Sequence, residues 1–225
     1  MLAWLGERDP FPPVEKSLRE PNGLLCAGGD LSPARLLDAY RHGIFPWFSR
    51  GEPILWWSPD PRMVLYCDEL KVSRSLAKSV RNKGFELAVD SAFPAVLQGC
   101  AERPEGTWLN RAMKSAYLAL HEAGHAHSFE TWRDGELVGG LYGVAIGRMF
   151  FGESMFSRAT DASKVALVRL VEFLRARAFP LIDCQMNTPL LASLGAREIP
   201  RRDFLRAVSA LVNYPERAGQ WKAAP

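Results

Sequence analysis

Ser128-Phe-Glu-Thr-Trp-Arg133-Asp134-Gly135-Glu136-Leu-Val-Gly-Gly-Leu-Tyr-Gly-Val-Ala145 is the stretch that decides the fold. Two β-rich runs, Ser128–Arg133 and Glu136–Ala145, flank Asp134-Gly135, a pair suited to the positive φ values of a two-residue hairpin turn. Gly147–Met155 continues as a third strand, so the centre of the chain is an antiparallel meander. Downstream, Asp161–Ala178 places Leu167, Val168, Val171 and Leu174 on one helical face. Pro180–Gln185 follows as a buried strand, Pro189–Leu194 as a short helix, and Pro200–Val212 as a last helix opened by proline. Upstream, Met63–Cys67 and Glu86–Val89 are expected strands, and Ser73–Lys83 and Ala92–Ala101 expected helices. Asn110–Ala123 carries Met113, Ala116, Tyr117 and Leu120 at i, i+3, i+4 and i+7, an amphipathic helix. The pattern is an α+β layer structure. Residues 1–62 differ. Pro10, Pro12, Pro13, Pro21, Pro33, Pro46, Pro53, Pro59 and Pro61 break them up, since proline fixes φ and removes a donor. Long elements are not expected there, except a helix over Ala34–Arg41 with Ser32 as cap and Pro33 in its first position.

Composition narrows the class. The chain has 225 residues, 48% hydrophobic and 24% charged, and a net charge of +3. These values fit a globular protein and exclude collagen, coiled coil and wholesale disorder. The slight positive excess permits a polyanionic partner without requiring one. Cys26, Cys67, Cys100 and Cys184 are widely spaced, which matches neither a disulfide framework nor a zinc ribbon and suits a reducing, cytoplasmic setting. Met1–Asp9 lacks a basic leader and no run of ~18 apolar residues occurs, so neither a signal peptide nor a membrane span is expected.

Several constellations carry chemistry. His121-Glu-Ala-Gly-His125 matches the zincin pattern His-Glu-x-x-His, which needs a continuous helix to bring both imidazoles to one face. Gly124 reads instead as a helix-ending glycine. Gly139-Gly140-Leu-Tyr-Gly143 lies inside a strand, where glycine marks a bulge or a close approach. Arg74, Lys78 and Arg81 share one helical face, with Lys83 beyond. Like charges at that spacing repel, and either a phosphate backbone or solvent relieves them. Trp47, Trp56, Trp57 and Trp108 are suited to stacking on bases or to capping a hydrophobic cluster. Glu153 alternates with aromatics at the end of its strand, and Asp183 and Gln185 share one side of theirs by period two. Glu153 is either solvent-facing or held in a pocket for a cation, and Asp183 and Gln185 either form a site or cap the next helix.

Gly43-Ile-Phe-Pro-Trp47-Phe-Ser, Ile54-Leu-Trp-Trp-Ser-Pro-Asp-Pro-Arg62, His121–His127, Phe151–Arg158, Leu181–Gln185 and Ala192-Ser-Leu-Gly-Ala with Ile199-Pro-Arg-Arg resemble the leucyl/phenylalanyl-tRNA–protein transferases over roughly residues 9–206. The resemblance implies a small N-terminal domain, 1–62, before a GNAT-like acyltransferase domain, 63–225, with a mixed, mainly antiparallel sheet flanked by helices. It implies transfer of Leu or Phe, less readily Met, from aminoacyl-tRNA to an N-terminal Lys or Arg of a protein, which marks that protein for N-end-rule degradation. No metal and no coenzyme A take part, and the chain has no Arg/Gln-x-x-Gly-x-Gly/Ala pyrophosphate loop. By this resemblance Trp47 and Trp108 flank the terminal adenosine. Leu141, Phe150, Met155, Leu167, Leu170 and Ile182 form the aminoacyl pocket, which an unbranched Cβ enters and a β-branched one does not. Glu153, with Asp183, attracts the cationic N-terminus, and Asn187 belongs to the substrate-binding set. Arg74, Lys78, Arg81 and Lys83 hold the tRNA by its phosphates. The catalytic assignment is Asp183 polarising Gln185, and Gln185 orienting the amine and easing its proton away. An alternative leaves proton transfer to the ribose hydroxyl. The expected state is a cytoplasmic monomer without a membrane contact. Two other classes are a coenzyme-A N-acyltransferase, disfavoured by the absent loop, and a non-catalytic RNA-binding module, which leaves Glu153, Asp183 and Gln185 without a task.

Overall fold

The structure, a computed structural model, describes residues 2–82, 84–102, 107–215 and 221. Two sheets organise it. The larger has seven strands among the described residues, in the order β11-β5-β10-β9-β8-β7-β6. These are β5 (Arg62–Tyr66), β6 (Glu86–Val89), β7 (Ala126–Arg133), β8 (Glu136–Ile146), β9 (Met149–Ser157), β10 (Leu181–Gln185) and β11 (Arg197–Ile199). The Asp134-Gly135 turn forms as expected, with both φ values positive, and the meander β7-β8-β9 is antiparallel. β10 then pairs parallel to β9 through the crossover helix α5 (Ala162–Ala176).

Helices cover both faces. On one side α3 (Phe93–Ala101) and α4 (Arg111–Glu122) bury Phe93, Val96, Met113 and Tyr117 in the first hydrophobic core. On the other, α5 buries Val165, Leu170, Val171 and Leu174 in a second core with Phe129, Phe150 and Ile182. Two glycines of β8 exist for contact. A Cβ on Gly139 would sit 2.5 Å from the Ala162 Cβ, and one on Gly143 would sit 2.3 Å from the Phe151 carbonyl oxygen and 2.5 Å from the Phe150 ring. Close backbone approach, expected from glycine in a strand, is what both positions need.

The proline-rich segment holds α1 (Pro33–Arg41), where the Ser32 hydroxyl accepts from the Arg35 N–H. It also holds a four-stranded sheet that sequence patterning did not reveal, in the order β1-β2-β4-β3. Its strands are β1 (Ala3–Leu5), β2 (Leu24–Gly28), β3 (Phe45–Pro46) and β4 (Leu55–Trp57). Each is too short to show alternation. The chain passes from the small sheet to the large one between Trp57 and Arg62. Leu5, Leu25, Tyr40 and Trp56 join Val64, Tyr117 and Tyr142 in one hydrophobic cluster, so the two units share a core. The remaining helices are α2 (Arg74–Asn82), α6 (Pro189–Ser193) and α7 (Arg201–Leu211). No described helix is long and apolar enough to cross a membrane.

Candidate active site

The parallel neighbours β9 and β10 stay paired only from Leu181 opposite Met149 to Asp183 opposite Phe151. Beyond that point they separate, and a cavity of about 650 Å³ opens between them. Two β-bulges furnish its mouth. In β9, Tyr142 faces Ser154 and Gly143 faces Gly152, which leaves Glu153 as the extra residue. In β10, Asp183 faces Val64 and Gln185 faces Met63, which leaves Cys184 extra. Gln185 takes φ +61 there. Bulges re-aim side chains at strand ends and sites. The period-two argument for Asp183 and Gln185 is therefore corrected: regular alternation fails between them, and the bulge brings both to the cavity.

Arg62 anchors this corner. It is wholly buried, as is Asp183. Its Nε donates to Asp183 Oδ1 at 2.8 Å, its Nη2 to Oδ2 at 2.7 Å and its Nη1 to the Gly43 carbonyl at 3.1 Å. The guanidinium lies 4.8 Å from the Phe45 ring centroid and 4.5 Å from that of Phe204. Such a planar fork matches a carboxylate in two places at once. Asp183 Oδ1 also accepts the Gln185 backbone N–H at 2.9 Å. Asp183 thus meets Gln185 through the main chain and fixes the bulge.

Glu153 meets three groups. Its Oε1 accepts from the Tyr40 hydroxyl at 2.7 Å and from Gln185 Nε2 at 3.0 Å, and its Oε2 accepts from the Tyr117 hydroxyl at 2.5 Å. The two phenol oxygens lie 3.0 Å apart. Tyr40 comes from α1 and Tyr117 from α4, so the site spans both sheets' helices. Burial pushes the Glu153 carboxyl up to about 7, the Asp183 charge adds to this, and the Tyr117 and Tyr40 hydrogen bonds and the Arg62 charge oppose it. Burial and then the Glu153 charge raise both phenols well above their ordinary value.

The apolar wall of the cavity includes Leu141, Phe150, Met155, Leu167, Leu170 and Ile182, the six expected pocket residues, and Trp47 and Trp108 line it as well. Trp47 is 38% exposed and its ring lies 5.4 Å from that of Trp57. Trp56 is instead fully buried, with its Nε1 donating to the Gly28 carbonyl, so packing is its task. Asn187 is exposed and does not line the cavity. Arg74, Lys78 and Arg81 are exposed on α2, while Lys83 lies outside the described residues. The His121 motif ends its helix: α4 stops at Glu122, Gly124 has φ +79, and the His121 ring stacks on Phe93. Sequence reasoning missed Tyr40, Tyr117 as a polar group, and Arg62. Each sits on an amphipathic helix or an apolar strand, where core packing explains it equally well.

The large sheet splays at its parallel pair over an apolar chamber that also carries a carboxylate, Glu153. The crystal structure of FemX superposes with a TM-score of 0.50 at 11% identity, over 79% of this chain and 71% of that one, a likeness of fold. The family model described as leucyl/phenylalanyl-tRNA protein transferase matches residues 64–209, and that of its N-terminal domain matches residues 29–60. The protein from Thiobacillus denitrificans named leucyl/phenylalanyl-tRNA–protein transferase is 65% identical over 94% of this chain and 94% of its own length. Its namesake from Chromobacterium violaceum is 60% identical over 98% and 96%. The chain belongs to the leucyl/phenylalanyl-tRNA–protein transferase family.

Proposed function

We propose that the protein moves Leu or Phe, less readily Met, from aminoacyl-tRNA to the N-terminal Arg or Lys of a protein and so marks it for degradation, acting as a cytoplasmic monomer. The observation that carries this reading is the single cavity where the six apolar residues meet Trp47, Trp108, Glu153 and Gln185. The aminoacyl side chain enters the apolar chamber and the terminal adenosine lies against Trp47 and Trp108. The acceptor amine stands at Gln185, whose backbone Asp183 holds in place. With Gln185 Nε2 donating to Glu153, its carbonyl oxygen is left to accept from the amine. Glu153 faces the cationic N-terminus. The division into residues 1–62 and 63–225 is part of this proposal, supported by the passage between sheets at Trp57–Arg62.

The ester is already activated. A peptide amine with a pKa of ~7.7–8.0 is partly neutral at pH 7, and holding amine and ester together supplies up to ~7–11 kcal/mol. The test is transfer of labelled leucine from Leu-tRNA to an Arg-initiated peptide, beside an Ala-initiated one and beside Asp183→Ala protein. Label on the Arg peptide alone, reduced in the variant, is expected. Labelling of neither peptide by wild-type protein that binds tRNA would instead favour an RNA-binding module. The α2 face makes a second expectation. Replacing Arg74, Lys78 and Arg81 by Ala should weaken tRNA binding and lower the slope of log Kd against log salt by about 2–3, as loss of three phosphate contacts requires. An unchanged slope would remove this face from the interface.

A further inference from the structure

We propose that Glu153 is the group that takes the proton from the attacking amine and returns it to the departing ribose oxygen. The inference rests on the transferase reading above. As the neutral amine's lone pair forms the C–N bond, the ester C–O bond breaks. One N–H proton passes to Glu153 and from there to the ribose oxygen, so the carboxylate is regenerated and no other reactant is needed.

Three observations carry this. Asp183, the other carboxylate at the cavity, has both oxygens engaged by the Arg62 fork and one also by the Gln185 N–H. It is fully buried and matched in charge, and serves as a positioning residue. Glu153 Oε2 accepts from Tyr117 alone among the described residues, which leaves it a lone pair for a proton, and Glu153 lines the cavity together with Gln185. Finally, the two phenols allow either proton count. With Glu153 ionised, each donates its one hydrogen to the carboxylate. When Glu153 is protonated, one phenol hydrogen can turn to the other oxygen, 3.0 Å away, and no buried donor is stranded. The other groups facing this cluster are Gln185 and Asp183 from β10, Arg62 from β5 and Tyr142 from β8. A carboxyl raised to about 7 lies near the peptide amine, as efficient proton transfer requires.

The experiment follows kcat against pH, with saturating Leu-tRNA and Arg-initiated peptide, for wild type, Tyr117→Phe and Glu153→Gln, with tRNA binding as the check on folding. Wild type should lose activity as pH falls through about 7. The Tyr117 hydroxyl stabilises the ionised carboxylate, so its removal should move that acid limb about 0.5–1 unit to higher pH. Glu153→Gln should lower kcat by ~10²–10⁴-fold and leave an acid limb set only by the peptide amine at ~7.7–8.0. An acid limb that stays in place in Tyr117→Phe would overturn the proposal. So would Glu153→Gln protein with an unchanged kcat and a raised peptide KM, the mark of a group that only binds the cation. Absence of transfer by wild type itself would fail the transferase reading, and this inference with it.

Discussion

Arg62→Ala is expected to destabilise the protein by about 3–5 kcal/mol and to abolish transfer in whatever fraction stays folded. The size follows from what remains. Asp183 is 0% exposed, and without the guanidinium only the Gln185 N–H, among the described residues, still serves its carboxylate. An isolated buried charge costs far more than the pair itself contributes. The aromatic slot between Phe45 and Phe204 empties as well. Arg62→Lys should recover little, since an ammonium cannot reach both oxygens and the Gly43 carbonyl in one plane. Replacing both members by apolar residues should restore stability but not activity, because the bulge at Gln185 loses its anchor. Urea unfolding of the two single variants and the double variant checks this. A loss under about 1 kcal/mol for Arg62→Ala, the range of an exposed pair, would show that the charge is not sealed.

Phe150→Ala should cost a similar ~3–5 kcal/mol, the usual range for an unrefilled aromatic core site. Phe150 is fully buried in the second core, beside the Gly143 backbone and 6.0 Å from the Trp221 ring. Its ring also lines the cavity, so the substitution acts twice. It opens space at the aminoacyl wall and should shift transfer from Leu toward Phe, with total activity reduced. Thermal unfolding and competition between Leu-tRNA and Phe-tRNA measure the two effects separately. Destabilisation without a change of preference would place the aminoacyl side chain elsewhere.

The fold was legible where patterns were long. The Asp134-Gly135 turn, the 3.6-residue period of α4 and the apolar face of α5 announce themselves, and the meander follows from them. The small sheet was not, because strands of two to five residues between prolines show no period. The apolar side of the proposed site was reached through resemblance, and its six residues line one cavity. Its polar side was legible only in part. Arg62 and Asp183 lie 121 positions apart, and no local spacing links them. Tyr40 and Tyr117 sit where helical period reads core, and their hydroxyls meet Glu153 only because α1 and α4 converge on a bulge. Bulges leave no mark in alternating sequence beyond a glycine; Gly143, in the glycine-rich run of β8, carried that mark, whereas Gly152 opposite it went unread.

The most direct measurement mixes the protein with an Arg-initiated peptide and two differently labelled donors, Leu-tRNA and Ile-tRNA. Leucine and isoleucine have equal volume and differ in branching at Cβ, the side-chain atom nearest the ester. The account predicts that leucine label reaches the peptide on the order of 100-fold faster, the scale on which a packed pocket discriminates by shape. Equal incorporation of the two would contradict it, because an enclosed aminoacyl chamber would then have no part in choosing the substrate.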